Sequence, residues 1–470
     1  MRGRIVRKQI QKAYNSGDFE KALEIASRNI DCEINGVVSK SIIVRLHWKN
    51  NEFQKVIDLL EKWPEAEVEN LRTKAKHKLN RIRSYEQKSG NSQNIRGVEV
   101  DPSPSSKNIL QHTYDSVNLT KNWFQEGAKL WFRHQYGWVY WDMPKGFKLD
   151  KTHPALLELA TDVLLRPWNH EVKKPITKGR EVGSKLALSY SGGTDSTAAA
   201  LLLPNDTILG YNERSFTSML DHRNAFRLFE AWKSKLGREI ITVPSNHEII
   251  RTFHGKQVGF STDYASGVHL ILLADMFDLG GIAFGVPIDN TWLQKGKWYR
   301  DFSQSSHWRL WSNRFKEAGL ELVLPINHIS EAGALRICEK STLIDDINSC
   351  MRGDGMNGCG KCWKCFHKNG PLGRKIDLNS KEISTILAER PMRTAQHALW
   401  AIQILEAEDI VPDLSEHLEK DLSWWEKAYP KGLDLIPQNH RDFIENKTNE
   451  YLQWMDDVTI LENTNIFPKQ

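Results

Sequence analysis

What this chain lacks narrows the field first. It has no apolar run of eighteen residues, so no membrane-spanning helix is expected. Met1-Arg2-Gly3-Arg4 is basic, but no apolar stretch follows it, so no secretory signal is expected. Excess charge of one sign is missing too: 64 basic and 59 acidic side chains give a net charge of +5. That bias does not argue for nucleic acid as a partner. Cysteine is scarce, six residues in 470, and four of them fall between Cys350 and Cys365. A tight cluster in a cysteine-poor chain points to a metal site in a reducing compartment rather than to disulfide staples, so a cytoplasmic location is expected. The chain also has no G-x-x-x-x-G-K-[ST] string, which excludes a Walker-type phosphate loop.

What is present fills more than one compact core. Residues 1–86 read as two helical hairpins. Gly17-Asp18-Phe19 before Ala22-Leu23 returns as Asn51-Glu52-Phe53 before Val56-Ile57, an offset of 34 residues at each position. This is the tetratricopeptide period, and two copies leave a face for a protein partner or a homodimer. Residues 87–108, with Pro102-Ser103-Pro104, form a linker. Residues 109–184 are aromatic, with Trp123, Phe124, Trp131, Phe132, Tyr136, Trp138, Tyr140 and Trp141 but only Lys129 and Arg133 interleaved. They read as a core-packing lead-in rather than a base-stacking platform.

In residues 185–370, short apolar runs alternate with helical patterns. Strands are expected at Leu186–Tyr190, Thr207–Tyr211, Glu239–Val243, Gly281–Gly285 and Glu321–Leu324. Helices are expected at Thr197–Leu203, Asp221–Leu236, Tyr264–Leu279 and Glu331–Glu339. The fold class that follows is α/β: a mostly parallel sheet with helices on both faces and ligands at the strands' carboxyl ends. Residues 371–470 read as a helical C-terminal extension with no catalytic pattern.

The string Ser191-Gly192-Gly193-Thr194-Asp195-Ser196 lies between the first of these strands and its helix. Unbonded amides and the dipole at a helix start favour an anion, and two glycines let the backbone approach it. Ser191 and Ser196 add hydroxyls, and Asp195 suits a Mg2+ that bridges phosphates. The bland alternative is a capped strand-to-helix turn. Further on, Cys350, Cys359, Cys362 and Cys365 have the spacing of a closed, four-thiolate Zn2+ shell, with an iron–sulfur cluster as the rival.

The loop string resembles the S-G-G-x-D-S signature of the PP-loop, or N-type, ATP pyrophosphatases. The cysteine spacing resembles the zinc knuckle of the 7-cyano-7-deazaguanine synthase branch. Tyr211-Asn212-Glu213-Arg214 resembles that branch's Tyr-Gly-Gln-Arg. The stretch from Gly267 to Gly285 resembles the region before its nucleotide pocket, and Leu324–Ala332 its Pro-Leu-x-x-Leu-Ser-Lys-Ala segment. The match spans about Lys185 to Lys368. Ser215 replaces a family His, and Glu331 replaces the family Lys.

The resemblance implies an adenine-nucleotide alpha-hydrolase-like fold using ATP, Mg2+ and Zn2+. It implies nucleotide contacts at Ser189, Ser191, Gly192, Gly193, Thr194, Asp195, Ser196 and Gly285, with Asp195, Ser196 and Arg214 serving the chemistry. The substrates would be a small-molecule carboxylate resembling 7-carboxy-7-deazaguanine, and ammonia or an amine. The extra helical regions fit a synthase-like member repurposed in a defence or surface-polysaccharide gene cluster. Two other readings stand beside this one: an RNA-thiolating enzyme, and a nucleotide-binding subunit of reduced activity.

Overall fold

The computed structural model describes residues 6, 8–10, 13, 19–31, 36–49, 52–67, 70–76, 102–169, 176–215 and 222–467. The chain divides into two compact units. One contains residues 1–94, 99–101 and 248–259; the other contains 95–98, 102–247 and 260–470.

In the first unit, helix α1 (Phe19–Ser27) packs on α2 (Gly36–Lys49), and α2 packs on α3 (Phe53–Lys62). Ala22 and Val56, which share a place in the two sequence copies, are both fully buried, and Phe53 nearly so. Apolar side chains at Phe53, Val56, Ile57 and Leu60 fall on one helical stripe, which explains why α3 hides that face and exposes its charges. Gly17, Asn51 and the side chain of Phe19 lie outside the described residues, so the turn part of the repeat expectation does too.

The second unit is an α/β layer structure around one eight-stranded sheet, in the order β1-β2-β3-β6-β5-β4-β7-β10. Strands β4 (Lys185–Ser189), β5 (Ile208–Arg214), β6 (Ile240–Ser245), β7 (Leu279–Phe284) and β10 (Glu321–Val323) are mutually parallel. A separate hairpin, β8 (Leu293–Gln294) with β9 (Trp298–Tyr299), lies between β7 and β10 in the chain. Every residue of β7 is buried, as a strand covered on both faces requires.

Strands β1 (Trp123–Glu126), β2 (Lys129–His134) and β3 (Gly137–Asp142) form an antiparallel meander. It joins the sheet where Trp141 pairs with Ser245 and the Asn246 side chain accepts the Tyr140 amide at 2.8 Å. The aromatic segment therefore extends the sheet itself, where the sequence suggests a lead-in packed against it. Alternation puts Trp131, Trp138 and Tyr140 in one cluster. Trp123 contacts both Phe132 and Trp141, and Trp123 Nε1 donates to Thr161 on helix α4 (Pro154–Leu165).

Helix α5 (Thr194–Leu202) starts at the end of β4. It is buried on nearly every side, under α6 (Arg223–Leu236), α9 (Glu331–Glu339) and the C-terminal α10 (Gln438–Tyr451). Small residues make this possible: Ala198, Ala199 and Ala200 are all fully buried. Leu202→Ala would remove about 2–5 kcal/mol here. The C-terminal residues thus share a core with the sheet, where the sequence suggests a separate extension. The expected helix over Tyr264–Leu279 is shorter, with its α-helical part, α7, limited to Val268–Leu272. The intervening α8 spans Ser306–Glu317. Among the described residues, no helix is long and apolar enough to cross a membrane.

Candidate functional site

The carboxyl ends of β4, β5 and β7 and the segment 348–369 converge on one site. After Ser189 the chain turns through Gly192, whose φ of +72° is a conformation L side chains seldom adopt. A Cβ there would meet Ala225 Cβ at 3.1 Å. Helix α5 then begins with Gly193 as its N-cap, which offers no side chain to cap with. The cap comes from elsewhere: Ser349 Oγ accepts the Thr194 amide at 3.0 Å. Within the loop, Ser196 Oγ accepts from Ser191 N at 3.2 Å, lies 3.0 Å from Ser191 Oγ, and donates to Gly193 O at 3.1 Å. Ser196 is 4 % exposed and braces the loop from within.

A pocket enclosing about 680 Å3, solvent-open space included, is lined by Ser189, Tyr190, Ser191, Gly192 and Gly193 on the loop side. Tyr211, Asn212, Arg214, Phe260 and Ser266 face them, and Asn348, Ser349, Met351 and Lys364 form a third wall. The Arg214 guanidinium lies 5.4 Å from the centre of the Phe260 ring. His222 Nε2 donates to the Arg214 carbonyl at 2.9 Å, so the His222 Nδ1 accepts the Tyr211 hydroxyl and the end of β5 is held in place. Desolvation and the nearby Arg214 and Lys368 charges lower the Lys364 pKa, against the pull of Asp195.

Thr194, Asp195 and Ser196 lie outside this lining. Gly285 makes a packing contact: a Cβ there would sit 3.0 Å from the Asp195 carbonyl and from Ser196 N, so the end of β7 can lie against the first turn of α5 only as glycine. Asp195 instead enters a buried charge cluster. Lys368 Nζ donates to Asp195 Oδ1 at 2.7 Å and lies 2.8 Å from Glu331 Oε2. Glu331 N donates to Asp289 Oδ2 at 2.8 Å.

Two carboxyl groups thus contact one ammonium and a third, Asp289, joins them through the Glu331 amide, and the three respond differently. Burial, reinforced by Glu331, pushes Asp289 well above the usual carboxylate range. Burial also raises Asp195, although Lys368 opposes it. Burial would raise Glu331 as well, but Lys368, His367 and His397 hold it well below its ordinary value. Lys368 is raised despite burial, because both acidic partners favour its charged form. Glu331 and Lys368 thus form a buried ion pair.

His367 Nδ1 and His397 Nε2 stand 3.6 and 3.9 Å from Glu331 Oε2, a grouping that could hold a metal. The electrostatics favour another reading. Glu331 already has its cation, and His397 Nε2 donates to the His367 carbonyl at 2.9 Å.

The four cysteines come together as expected. Sγ–Sγ distances are 3.8 Å for Cys350–Cys362, 3.9 Å for Cys359–Cys365 and 3.6 Å for Cys362–Cys365. A tetrahedral shell at ~2.3 Å from zinc puts sulfurs ~3.8 Å apart, so the set fits Zn2+. Amides of Arg352 and Cys359 donate to Cys350 Sγ, and that of Gly360 to Cys365 Sγ, which stabilises thiolates. All four positions are protein ligands, so the site can pin the 350–365 segment without offering an open coordination position.

The sequence signals found the loop and the knuckle. Lys364, Lys368 and Asp289 carry no sequence signal; Ser349, beside Cys350, and Asn212, within Tyr211–Arg214, fall in stretches that resemble the synthase pattern without a role assigned to them, and Glu331 stands out only as a departure from that pattern.

Residues 310–460 match the model of a family of unknown function (DUF6395). That stretch contains the knuckle, Glu331 and Lys368 but not the glycine loop. Comparison with curated proteins and with solved structures finds no match in either.

Proposed function

We propose that this chain is an ATP-dependent adenylating enzyme of the PP-loop kind, with an adenine-nucleotide alpha-hydrolase-like sheet. It activates a small-molecule carboxylate and passes it to ammonia or an amine. One observation carries the reading: a strand, a two-glycine turn and a helix start open on a pocket that also presents two cationic side chains, Arg214 and Lys364.

The first-turn amides of α5 have no acceptor within the helix, and the helix dipole adds partial positive charge. The loop therefore suits the β- and γ-phosphates. A carboxylate oxygen bonds to the α-phosphorus while the bond from that phosphorus to the bridging oxygen breaks, giving an acyl-adenylate and pyrophosphate. The nitrogen nucleophile then bonds to the acyl carbon, loses a proton, and AMP leaves. Charge grows on the leaving oxygens in the first step, so fixed donors there favour the transition state over the ground state.

Asp195 is the loop's carboxylate, and Lys368 engages its Oδ1. Mg2+ bound beside Asp195 would supply further neutralisation of the pyrophosphate. The expected nucleotide products are AMP and pyrophosphate, formed when an acceptor is present. Product chromatography checks this, and a reaction yielding only ADP and phosphate contradicts it. The thiolation reading has less support. Cys338 is fully buried, its thiol is pushed up by burial, and it lies 3.4 Å from the Thr194 carbonyl, so it is no exposed sulfur carrier. Cys32 lies outside the described residues.

A further inference from the structure

Asn212 is 7 % exposed and lines the pocket, yet neither its Oδ1 nor its Nδ2 has a hydrogen-bond partner. Leaving both ends of a buried carboxamide unpaired is unfavourable, because neither group recovers the hydrogen bonds it made to water. A ligand that pairs with both ends removes that penalty. Strand alternation puts Gly210, Asn212 and Arg214 on one face of β5. A Cβ at Gly210 would collide with Leu270 and His269 of the α7 region, which identifies that face. Tyr211, on the opposite face, packs on Phe226 and Phe229 of α6. Asn212 therefore lines the pocket together with Arg214 and Phe260, on the strand next to the one that leads into the glycine loop.

We infer that Asn212 is a specificity-determining residue that reads the edge of a planar nitrogen heterocycle through an adjacent donor and acceptor. A carboxamide presents one donor and one acceptor side by side. It therefore matches an amide-like edge: the amino and ring nitrogens of an adenine, or the lactam of a guanine-like base. The side chain is particular to this chain, because the family pattern that the β5 end resembles has glycine in that place. Base recognition rests on the proposed function only in taking the ligand's phosphates to lie at the loop. The base belongs either to the nucleotide or to the heterocyclic acceptor, and the two sources are separable.

The test is calorimetric titration of the full chain and of Asn212→Leu, Asn212→Asp and Asn212→Gly, each checked for an unchanged melting profile. The probes are Mg-ATP, inorganic pyrophosphate and 7-carboxy-7-deazaguanine. Asn212→Leu is expected to weaken one base-bearing probe about tenfold or more and leave pyrophosphate unchanged. Loss on Mg-ATP assigns the nucleotide base, and loss on the deazaguanine assigns the acceptor. Asn212→Gly guards against a leucine that fails to fold and is expected to lose affinity for the same probe. Wild-type-like affinity for both base-bearing probes in the folded variants overturns the inference, as does a wild-type chain that binds neither. Failure of pyrophosphate and Mg-ATP to bind, with the deazaguanine still sensitive to Asn212, defeats the loop reading while leaving base recognition standing.

Discussion

Two clusters flank the glycine loop, and they are built in opposite ways. The knuckle takes four ligands from sixteen consecutive residues, held by local amide-to-sulfur bonds. The Asp195–Glu331–Lys368 cluster takes its members from a helix start, a second helix start and the helical turn Cys365–Asn369 that begins at the last knuckle cysteine, with Asp195 and Lys368 separated by 173 positions in the chain. One segment serves both. Residues 349–368 carry the sulfurs and also deliver Ser349 to the helix cap, Lys364 to the pocket and Lys368 to the carboxylates. A loop pinned at its cysteines can therefore act at a distance from them, by holding polar groups against a glycine-rich turn that has no side-chain cap of its own.

The largest expected effect tests this dependence. Removing the metal, or Cys362→Ser, should cost more stability than any other single change proposed here. Structural zinc supplies on the order of 10 kcal/mol in small metal-dependent modules. Metal analysis should find one zinc per chain with little iron, and chelation should lower the melting temperature and nucleotide affinity together. Stable nucleotide binding after complete zinc removal would separate the two clusters.

Next comes Lys368→Met. Breaking a buried ion pair typically costs about 3–5 kcal/mol, because the partner charge stays buried. Lys368 and Glu331 side chains are only 8% and 11% exposed, so little screening is expected. Urea unfolding should show the loss. Lys368→Met combined with Glu331→Gln should recover part of it, whereas additive losses would mean that the two side chains do not interact.

Asp195→Asn should act on turnover more than on stability. A lost electrostatic element of this kind costs on the order of a hundredfold in kcat. Steady-state kinetics should show a much smaller change in KM for ATP.

The smallest effect near neutrality is on pH. Burial pushes His247 and His328 down to about 3 and His269 to about 4. Each is neutral in the fold, while an unfolded chain protonates it near 6.5. The unfolded state therefore binds more protons below that value. Stability should be level above pH ~7 and should fall steadily as pH drops from 6.5 toward 4. Urea midpoints across that window check the sign, and a rise on acidification would contradict it.

The same contrast explains what the sequence could reveal. Periodicity exposed β4, β5, β7 and β10, because buried parallel strands are short apolar runs. The knuckle was legible from spacing alone, because its ligands are neighbours. The meander β1–β3 was legible only as aromatic content: pairing of Trp141 with Ser245 is a long-range fact, and a stripe of tryptophans suits either a sheet or a helical core. Lys368 and Asn212 were not legible. Their roles depend on which strand ends and turns meet, and a lysine after a cysteine knuckle or an asparagine in a strand has no local signature. Glu331 was visible as a departure from a pattern, but its balancing cation lies 37 residues on in the chain.

The proposed adenylation is a reversible attack on the α-phosphate of ATP at this loop, and ATP–pyrophosphate exchange measures that step. With a carboxylate acceptor such as 7-carboxy-7-deazaguanine present, labelled pyrophosphate should enter ATP at a rate that falls about a hundredfold or more in Asp195→Asn. Absence of exchange with every carboxylate acceptor that supports turnover, accompanied by release of ADP and phosphate, would contradict adenylation.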